Sequence, residues 1–335
     1  MPFRINKSAN VADLLDNMKN ISFQGRTLAQ VYEVWKNMLS EDTLIFLGLS
    51  GAMVPAGMRE VMVYLIKNRF IDCLVSTGAN LFHDAHESLG NYHYIGSHTV
   101  NDTDLYKHGV DRIYDTFASE DEFRQLEKVI VGWAYQDLDL TRSYTTREFF
   151  YLWGERLNSI KKADGIVTAC YEAGIPIYCP AIADSSYGIA LARRFGEKTD
   201  AVFFDMIADV EETAILAAKA PQTGVIYLGG GTPKNFIQQS EVTANIHLDF
   251  ESPGHKFAIQ VTTDAPHWGG LSGCTFSEAE SWGKINETAS TVSCYADVTI
   301  ALPIVATALA QGAEDLAQKR KKPTFGLGQK LEFNF

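Results

Sequence analysis

A series of short apolar runs, rich in β-branched residues and separated by amphipathic stretches, restricts this chain more than any other feature. Thr43 to Gly48 (TLIFLG), Ile71 to Thr77 (IDCLVST), Ile175 to Ile182 (IPIYCPAI) and Ala201 to Asp205 (AVFFD) read as strands, as do Gly224 to Leu228 (GVIYL), Phe257 to Thr262 (FAIQVT) and Val292 to Ala296 (VSCYA). The runs are apolar almost throughout rather than alternating, so each strand needs cover on both faces. The intervening segments carry helical patterning, as in Gly57 to Phe70. Such strands, joined by helices, assemble into a parallel sheet with helices on each side. The expected fold is therefore α/β, a single doubly wound, mostly parallel sheet of the Rossmann-like kind. It should span residues 41–320, after a helical N-terminal extension over 1–40 and before a C-terminal tail over 321–335. Ser119 to Thr146 is more charged and reads as a helical excursion from the sheet.

Composition narrows the function classes. With 335 residues and 46% hydrophobic content, the chain can build one large core. No apolar run approaches the roughly 18 residues needed to cross a bilayer. Met1 to Asn20 mixes polar and apolar residues and does not read as an export signal. The five cysteines are odd in number and lack CxxC spacing, the pattern of reduced thiols in a cytoplasmic protein. A net charge of −12 argues against nucleic acid as a partner and is compatible with a cationic small molecule. The one basic cluster, Lys319 to Lys322, reads as a solvated helix end.

Ligands of open parallel sheets bind beyond the carboxyl ends of the strands. Gly229-Gly230-Gly231-Thr232-Pro233-Lys234-Asn235 follows one such end. Its glycines permit close backbone approach, Pro233 suits a first helical turn, and free N–H groups can hold a phosphate. A tight structural turn is the alternative. Ser76-Thr77-Gly78-Ala79-Asn80 places small residues at a second end, and Asp184 and Asp297 follow two others. A carboxylate there receives ribose hydroxyls or caps a helix. Together these ends point to a nucleotide cofactor. His83-Asp84-Ala85-His86, with Glu87, His93 and His98 nearby, raises the question of a metal. There is no HExxH pattern and no later Cys/His pair, so the histidines read as hydrogen-bonding or pocket-lining groups and no metal is expected. Phe149 to Trp153 falls at helical spacing and reads as core or subunit interface.

Lys284 carries the sharpest chemical signal. No other lysine or arginine lies between Lys256 and Lys319. Lys284 follows Glu278, Glu280, Trp282 and Gly283, downstream of the glycine-rich Pro266 to Gly273. An indole beside carboxylates suits an alkylammonium group. A lysine in such company suits imine chemistry with a carbon electrophile; a surface lysine after a turn is the alternative.

The segment Ser281-Trp282-Gly283-Lys284-Ile285, followed by Tyr295-Ala296-Asp297, resembles the active-site region of deoxyhypusine synthases. The likeness continues through Leu228 to Gly231 and Cys179 to Asp184. It extends to Phe46 to Gly48, Gly57 to Glu60 and Leu74 to Thr77, so it covers roughly residues 40–320 in order. The resemblance implies NAD as cofactor, a polyamine substrate and a homotetramer with active sites shared between subunits. By position it implies Lys284 as the imine-forming residue, with Glu278, Trp282 and Asn235 around it. His83, Gly270 and Leu271 fall at the polyamine subsite. Gly51, Thr77, Gly78, Ala79, Asp184, Gly230, Thr263, Asp264 and Asp297 fall at the NAD site.

The departures from that family concern the amines. Asn235 stands where the eukaryotic and archaeal enzymes carry a histidine, Ile189 and Leu271 replace polyamine-anchoring aspartates, and His83 replaces a glutamate. An amide is no base near neutral pH. The pattern resembles the bacterial deoxyhypusine-synthase-like branch. It implies transfer of an aminobutyl group from spermidine or putrescine to a small diamine, giving homospermidine. Modification of a translation-factor lysine is the enzymatic alternative, and a non-catalytic NAD- or polyamine-binding protein is the alternative of another class.

Overall fold

The computed structural model describes residues 3–192, 201–247 and 250–335. Six strands form the central sheet: β1 (Leu44–Leu49), β2 (Cys73–Ser76), β3 (Ile177–Tyr178), β4 (Thr223–Leu228), β5 (His255–Thr262) and β6 (Ile285–Tyr295). Every pair in it is parallel, and the spatial order is β6-β5-β4-β1-β2-β3. Leu47 of β1 lies between Leu74 of β2 and Ile226 of β4. The chain builds outward from β1 to β3, then returns to the other side of β1 and builds outward again. Connections that diverge in this way leave a crevice at the carboxyl ends of the two strands where the order reverses.

The helices that cover the sheet are α1 (Val11–Met18), α2 (Phe23–Ser40), α3 (Arg59–Lys67), α4 (Gly78–Ser88), α5 (Glu120–Asp137), α6 (Thr146–Ile160), α7 (Ile166–Ala173), α8 (Met206–Lys219), α9 (Gly231–His247), α10 (Phe276–Glu280) and α11 (Val298–Gly312). Successive strand residues point to opposite faces, and the core divides accordingly. Ile45, Leu47, Ile226, Leu228, Ile259 and Val261 pack in one core with Trp35 of α2, Met62 of α3 and Leu302 of α11. Leu44, Phe46, Val225, Tyr227 and Ala258 pack in the other with Leu216 of α8, Ile237 of α9 and Phe276 of α10. Both faces are thus covered, as the unbroken apolar runs require. Phe149, Phe150 and Trp153 are buried, and the Trp153 indole N–H donates to the Tyr187 hydroxyl at 3.0 Å.

Several elements differ from the sequence reading. The helix expected over Gly57 to Phe70 is confined to α3, because Gly57 at φ +82° and Arg69 at φ +58° leave the helical region on either side. AVFFD is not part of the main sheet. Only Phe203–Phe204 is extended, it pairs with Ser143–Tyr144, and the Asp205 carboxylate turns the chain into α8 by accepting the Ala208 N–H. IPIYCPAI keeps only two strand residues, since Pro180 has no N–H for a ladder. In compensation, β6 starts at Ile285 rather than Val292. The excursion is larger than expected. A three-stranded antiparallel sheet of Tyr94–Ile95, Val110–Ile113 and Thr116–Ser119 precedes α5.

The basic cluster is a solvated helix end only in part: Lys319, which ends its helix, and Lys321 are exposed. Arg320 is buried and its guanidinium donates to Asp72 at 2.5 Å, to the Arg69 carbonyl at 3.0 Å and to the Thr43 carbonyl at 3.3 Å. The segment beyond it also packs. Thr324–Gly326 and Glu332–Asn334 form a hairpin whose Phe325 and Phe333 lie against the second core. Arg147 at the start of α6 is completely buried, forked onto Glu212 at 2.9 and 2.7 Å, and donates to the carbonyls of Leu327 and Gly328 at 2.7 Å each. Among the described residues no helix is long and apolar enough to cross a membrane. All five cysteines are free thiols.

Asp72 also accepts the Ile45 backbone N–H at 3.0 Å. Asp72→Ala strands the buried Arg320 charge and that amide together. Urea denaturation should show a loss of about 3–5 kcal/mol, the range for breaking one side of a buried pair.

Candidate active site

The crevice between β1 and β4 is a cleft of about 270 Å³, lined by Ser50, Gly51, Thr77, Asp184, Gly230 and Ser272 among others. Thr77 caps α4. Its hydroxyl accepts the Asn80 N–H at 3.3 Å and donates to the Gly51 carbonyl at 2.8 Å. Glycine is required where the walls approach most closely. A Cβ on Gly78 would lie 2.3 Å from the Ser185 hydroxyl oxygen, and one on Gly230 would lie 2.5 Å from the Ser272 Cα. The N-terminus of α4 and that of α9 both open at this cleft, which concentrates unpaired N–H groups and positive helix-end potential there. The Asp184 carboxylate lines the same cleft and makes no hydrogen bond or ion pair among the described residues.

Of the nine residues expected at a cofactor site, Gly51, Thr77, Gly78, Asp184 and Gly230 meet here, and Ala79 follows in the first turn of α4. Thr263, Asp264 and Asp297 lie outside the cleft, because β5 and β6 end one and two strands farther along the sheet. Asp297 caps α11, accepting the Thr299 N–H at 2.8 Å and its hydroxyl at 2.5 Å.

A second constellation adjoins the first. The loop from Pro266 to Cys274 crosses over Gly230, and Ser272 accepts the Gly231 N–H at 3.0 Å. The loop leads into α10, which carries Glu278, and then into Trp282-Gly283-Lys284. Gly283, at φ +68°, supplies the left-handed turn. The Lys284 N–H donates to the Ala279 carbonyl at 3.1 Å, and the Lys284 carbonyl accepts the His255 N–H at 3.0 Å. These bonds fix Lys284 at the amino end of β6. Its side chain is buried, and its amine lies 5.3 Å from the centre of the Trp282 ring. That amine makes no hydrogen bond or ion pair among the described residues, whereas Trp268, Leu271 and Trp282 are exposed. Lys284, Glu278 and Trp282 do not line the β1/β4 cleft of their own chain.

Between the two constellations stands Lys234, in the first turn of α9, and the sequence reading did not single it out. It is fully buried, and its amine donates to Gln260 Oε1 at 2.8 Å and to the Cys274 carbonyl at 2.5 Å. Burial lowers its pKa to about 8; Cys274 and Glu278 act in the opposite direction, and Lys284 adds to the lowering. The isolation that marks Lys284 marks Lys234 equally, since no other lysine or arginine lies between Lys219 and Lys256. Asn235 follows it, half-buried.

The histidines form a hydrogen-bonded group beside α5. His93 contacts Glu87 at 2.6 Å through Nδ1 and His83 at 2.9 Å through Nε2, and His83, His86 and His93 pack around Phe123. Asp84 is committed elsewhere: it accepts from Arg59 at 3.0 Å and from the Ile166 and Val167 N–H groups at the start of α7 at 2.7 and 2.9 Å. His98 stands apart, stacked on Tyr114. Among the described residues no group of three or more side chains is placed to hold a metal ion. His83 lies one turn beyond Ala79 and does not reach the cleft lining.

Fold and site together define an α/β protein with a glycine-walled cleft at its strand reversal and a buried lysine after the helix that follows the adjoining loop. Residues 13–309 match the family model for deoxyhypusine synthase, and the chain belongs to the deoxyhypusine synthase family, a family of transferases. It is 53% identical over 323 residues to a Methanosarcina mazei protein named "Probable deoxyhypusine synthase 2", covering 95% of this chain and 91% of that one. It is 37% identical over 321 residues to a Nostoc punctiforme "deoxyhypusine synthase-like protein", covering 91% of this chain and 80% of that one. Among solved structures it shares its fold with a "putative deoxyhypusine synthase" from Entamoeba histolytica. The TM-score is 0.62 at 18% identity, covering 90% of this chain and 93% of that one.

Two outcomes follow from the geometry. Gly230→Ala drives a methyl group into the Ser272 backbone. The variant should show a displaced 270–273 loop in its crystal structure and ligand binding to the cleft weakened about tenfold or more. Burial, helped by neighbouring histidines, holds His83 at a pKa of about 3 and His86 at about 4, below the unfolded value near 6.5. The stability that goes with their neutral forms is complete above pH 6.5 and is lost as the pH falls towards 4 and then 3. Melting temperature should fall between about pH 6.5 and 4.5, and the fall should be shallower in His86→Phe.

Proposed function

We propose that this protein is an NAD-dependent aminobutyl transferase in which Lys284 carries the transferred group as an imine. The observation that carries the reading is the Lys284 amine itself. It is buried, without a protein partner among the described residues, and beside the face of Trp282. An amine that no protein acceptor holds keeps its nitrogen available to a carbon electrophile.

The cleft suits NAD. Its strand order is that of dinucleotide-binding sheets, its glycines admit a pyrophosphate against the N-termini of α4 and α9, and Asp184 offers a free carboxylate for ribose hydroxyls. When bound, NAD supplies the hydride acceptor that turns an amine carbon into an electrophile, and later the donor that reduces the product. The chain's own residues do the rest. Trp282 and Glu278 hold the polyamine cation. Lys284 attacks the oxidised carbon, its nitrogen forms the new C=N bond, and the amine of the departing fragment leaves with the proton. An acceptor amine then displaces Lys284 in the reverse exchange.

Lys284 and the cleft lie apart within one chain; Trp282 stands exposed beside the lysine, and Trp268 and Leu271 are exposed on the loop before α10. In our reading a neighbouring copy closes the site in a homotetramer, excluding water from the imine. The setting is cytoplasmic, in keeping with the free thiols. Asn235 and the exposed Ile189 and Leu271 supply no base and no carboxylate of their own to an amine. That favours a small diamine as acceptor, giving homospermidine from a spermidine or putrescine donor. The name of the archaeal relative favours the second reading, transfer to a lysine of a translation factor.

Incubation with spermidine, putrescine and NAD separates these. Homospermidine is the expected product; its absence together with labelling of a translation factor would establish the second reading. Lys284→Arg keeps the charge and should reduce turnover about a thousandfold or more, with loss of the borohydride-trapped adduct. Unchanged turnover would remove Lys284 from the mechanism. No trapped adduct and no product from the parent protein would leave a binding protein.

A further inference from the structure

Lys234 and Gln260 are used by no step above, yet they join the glycine turn after β4 to the loop that crosses it. The Gln260 amide N–H groups donate to the Gly229 carbonyl at 2.9 Å and the Ser272 carbonyl at 2.8 Å. With both amide hydrogens directed at carbonyls, the side-chain orientation is determined, and Oε1 is left to accept from Lys234 at 2.8 Å. The Lys234 amine then reaches the Cys274 carbonyl. Two side chains, one from α9 and one from β5, therefore hold the backbone of the 270–274 loop at Ser272 and Cys274, and the glycine turn after β4 at Gly229. Ser272 closes the arrangement by accepting the Gly231 N–H at 3.0 Å.

Burying an ammonium among neutral acceptors costs stability that a methionine of similar length would avoid. What methionine cannot supply is a donor aimed at two acceptors in different segments. The groups facing this amine are the Cys274 thiol, Glu278, Lys284 and the rings of Tyr227 and Phe276. None of them is a carboxylate at hydrogen-bond distance.

We propose that Lys234, with Gln260, is a positioning residue that latches the 270–274 loop over the glycine wall of the cleft. The latch fixes at once the roof of the cofactor cleft and the start of the segment that delivers Glu278, Trp282 and Lys284. For its effect on turnover the inference rests on NAD occupying the cleft. For its effect on the loop it does not.

The test compares the full-length protein with Lys234→Met by amide hydrogen exchange without ligand and by steady-state kinetics. In the variant the Gly273 and Cys274 amides should exchange about tenfold faster or more, while those of Val225 to Tyr227 in β4 and the melting curve stay unchanged. The KM for NAD should rise about tenfold, while kcat at saturating NAD changes less than about threefold, because bound cofactor restores the roof. Unchanged loop exchange overturns the latch. So does acceleration of the loop and β4 together, which marks a general structural role. Should Lys234→Met fail to fold, Lys234→Gln, too short to reach both acceptors, is read in the same way. If the parent protein binds no NAD, the cofactor reading fails while the exchange measurement still decides the latch.

Discussion

β1 is hydrogen-bonded to β2 on one side and to β4 on the other, and the chain leaves those two neighbours in opposite directions along the sheet. The site depends on that divergence. It parts the connections above the sheet, brings the N-termini of α4 and α9 to one opening, and leaves space that neither connection fills. The glycines meet a constraint on each side of it. Gly78, after β2, packs against Ser185, after β3, and Gly230, after β4, packs against Ser272, after β5; at neither is there room for a side chain.

Much of this was legible from residue order, for a definite reason. A strand buried on both faces must be apolar throughout, and a strand end that faces a ligand must be small, so TLIFLG, GVIYL and the glycines after them carry both signals. AVFFD has the first signal but not the structural role, because its pairing with Ser143–Tyr144 depends on a segment some sixty residues away that no local pattern announces. The basic run at 319–322 misled at one residue, for a similar reason. Its charge density suits solvent, yet Arg320 turns inward to Asp72, a residue nearly 250 positions earlier. The sequence placed Asp184 and Asp297 alike after strands. Only the strand order separates a carboxylate in the cleft from one that caps α11.

The two isolated lysines show where pattern and geometry part. Both stand alone among long stretches without basic residues, and both are buried. Lys234 has two acceptors and Lys284 has none among the described residues. A buried amine that is fully directed acts as scaffold, and one without acceptors is available for chemistry. Spacing in the sequence could not have told them apart, since the difference lies in Gln260 and the Cys274 carbonyl, far along the chain.

The burial of Arg147 bears on how the molecule is made. Its guanidinium is shared between Glu212 and the carbonyls of Leu327 and Gly328, within the last ten residues of the chain. During synthesis from the N-terminus, the helix that begins beside Arg147 emerges long before those carbonyls exist. Until the segment at 327–328 leaves the ribosome, that charge has only one of its two sets of partners. Leu327 and Gly328 thus act as a seam over the arginine, and a chain that stops before Leu327 leaves its guanidinium with Glu212 alone.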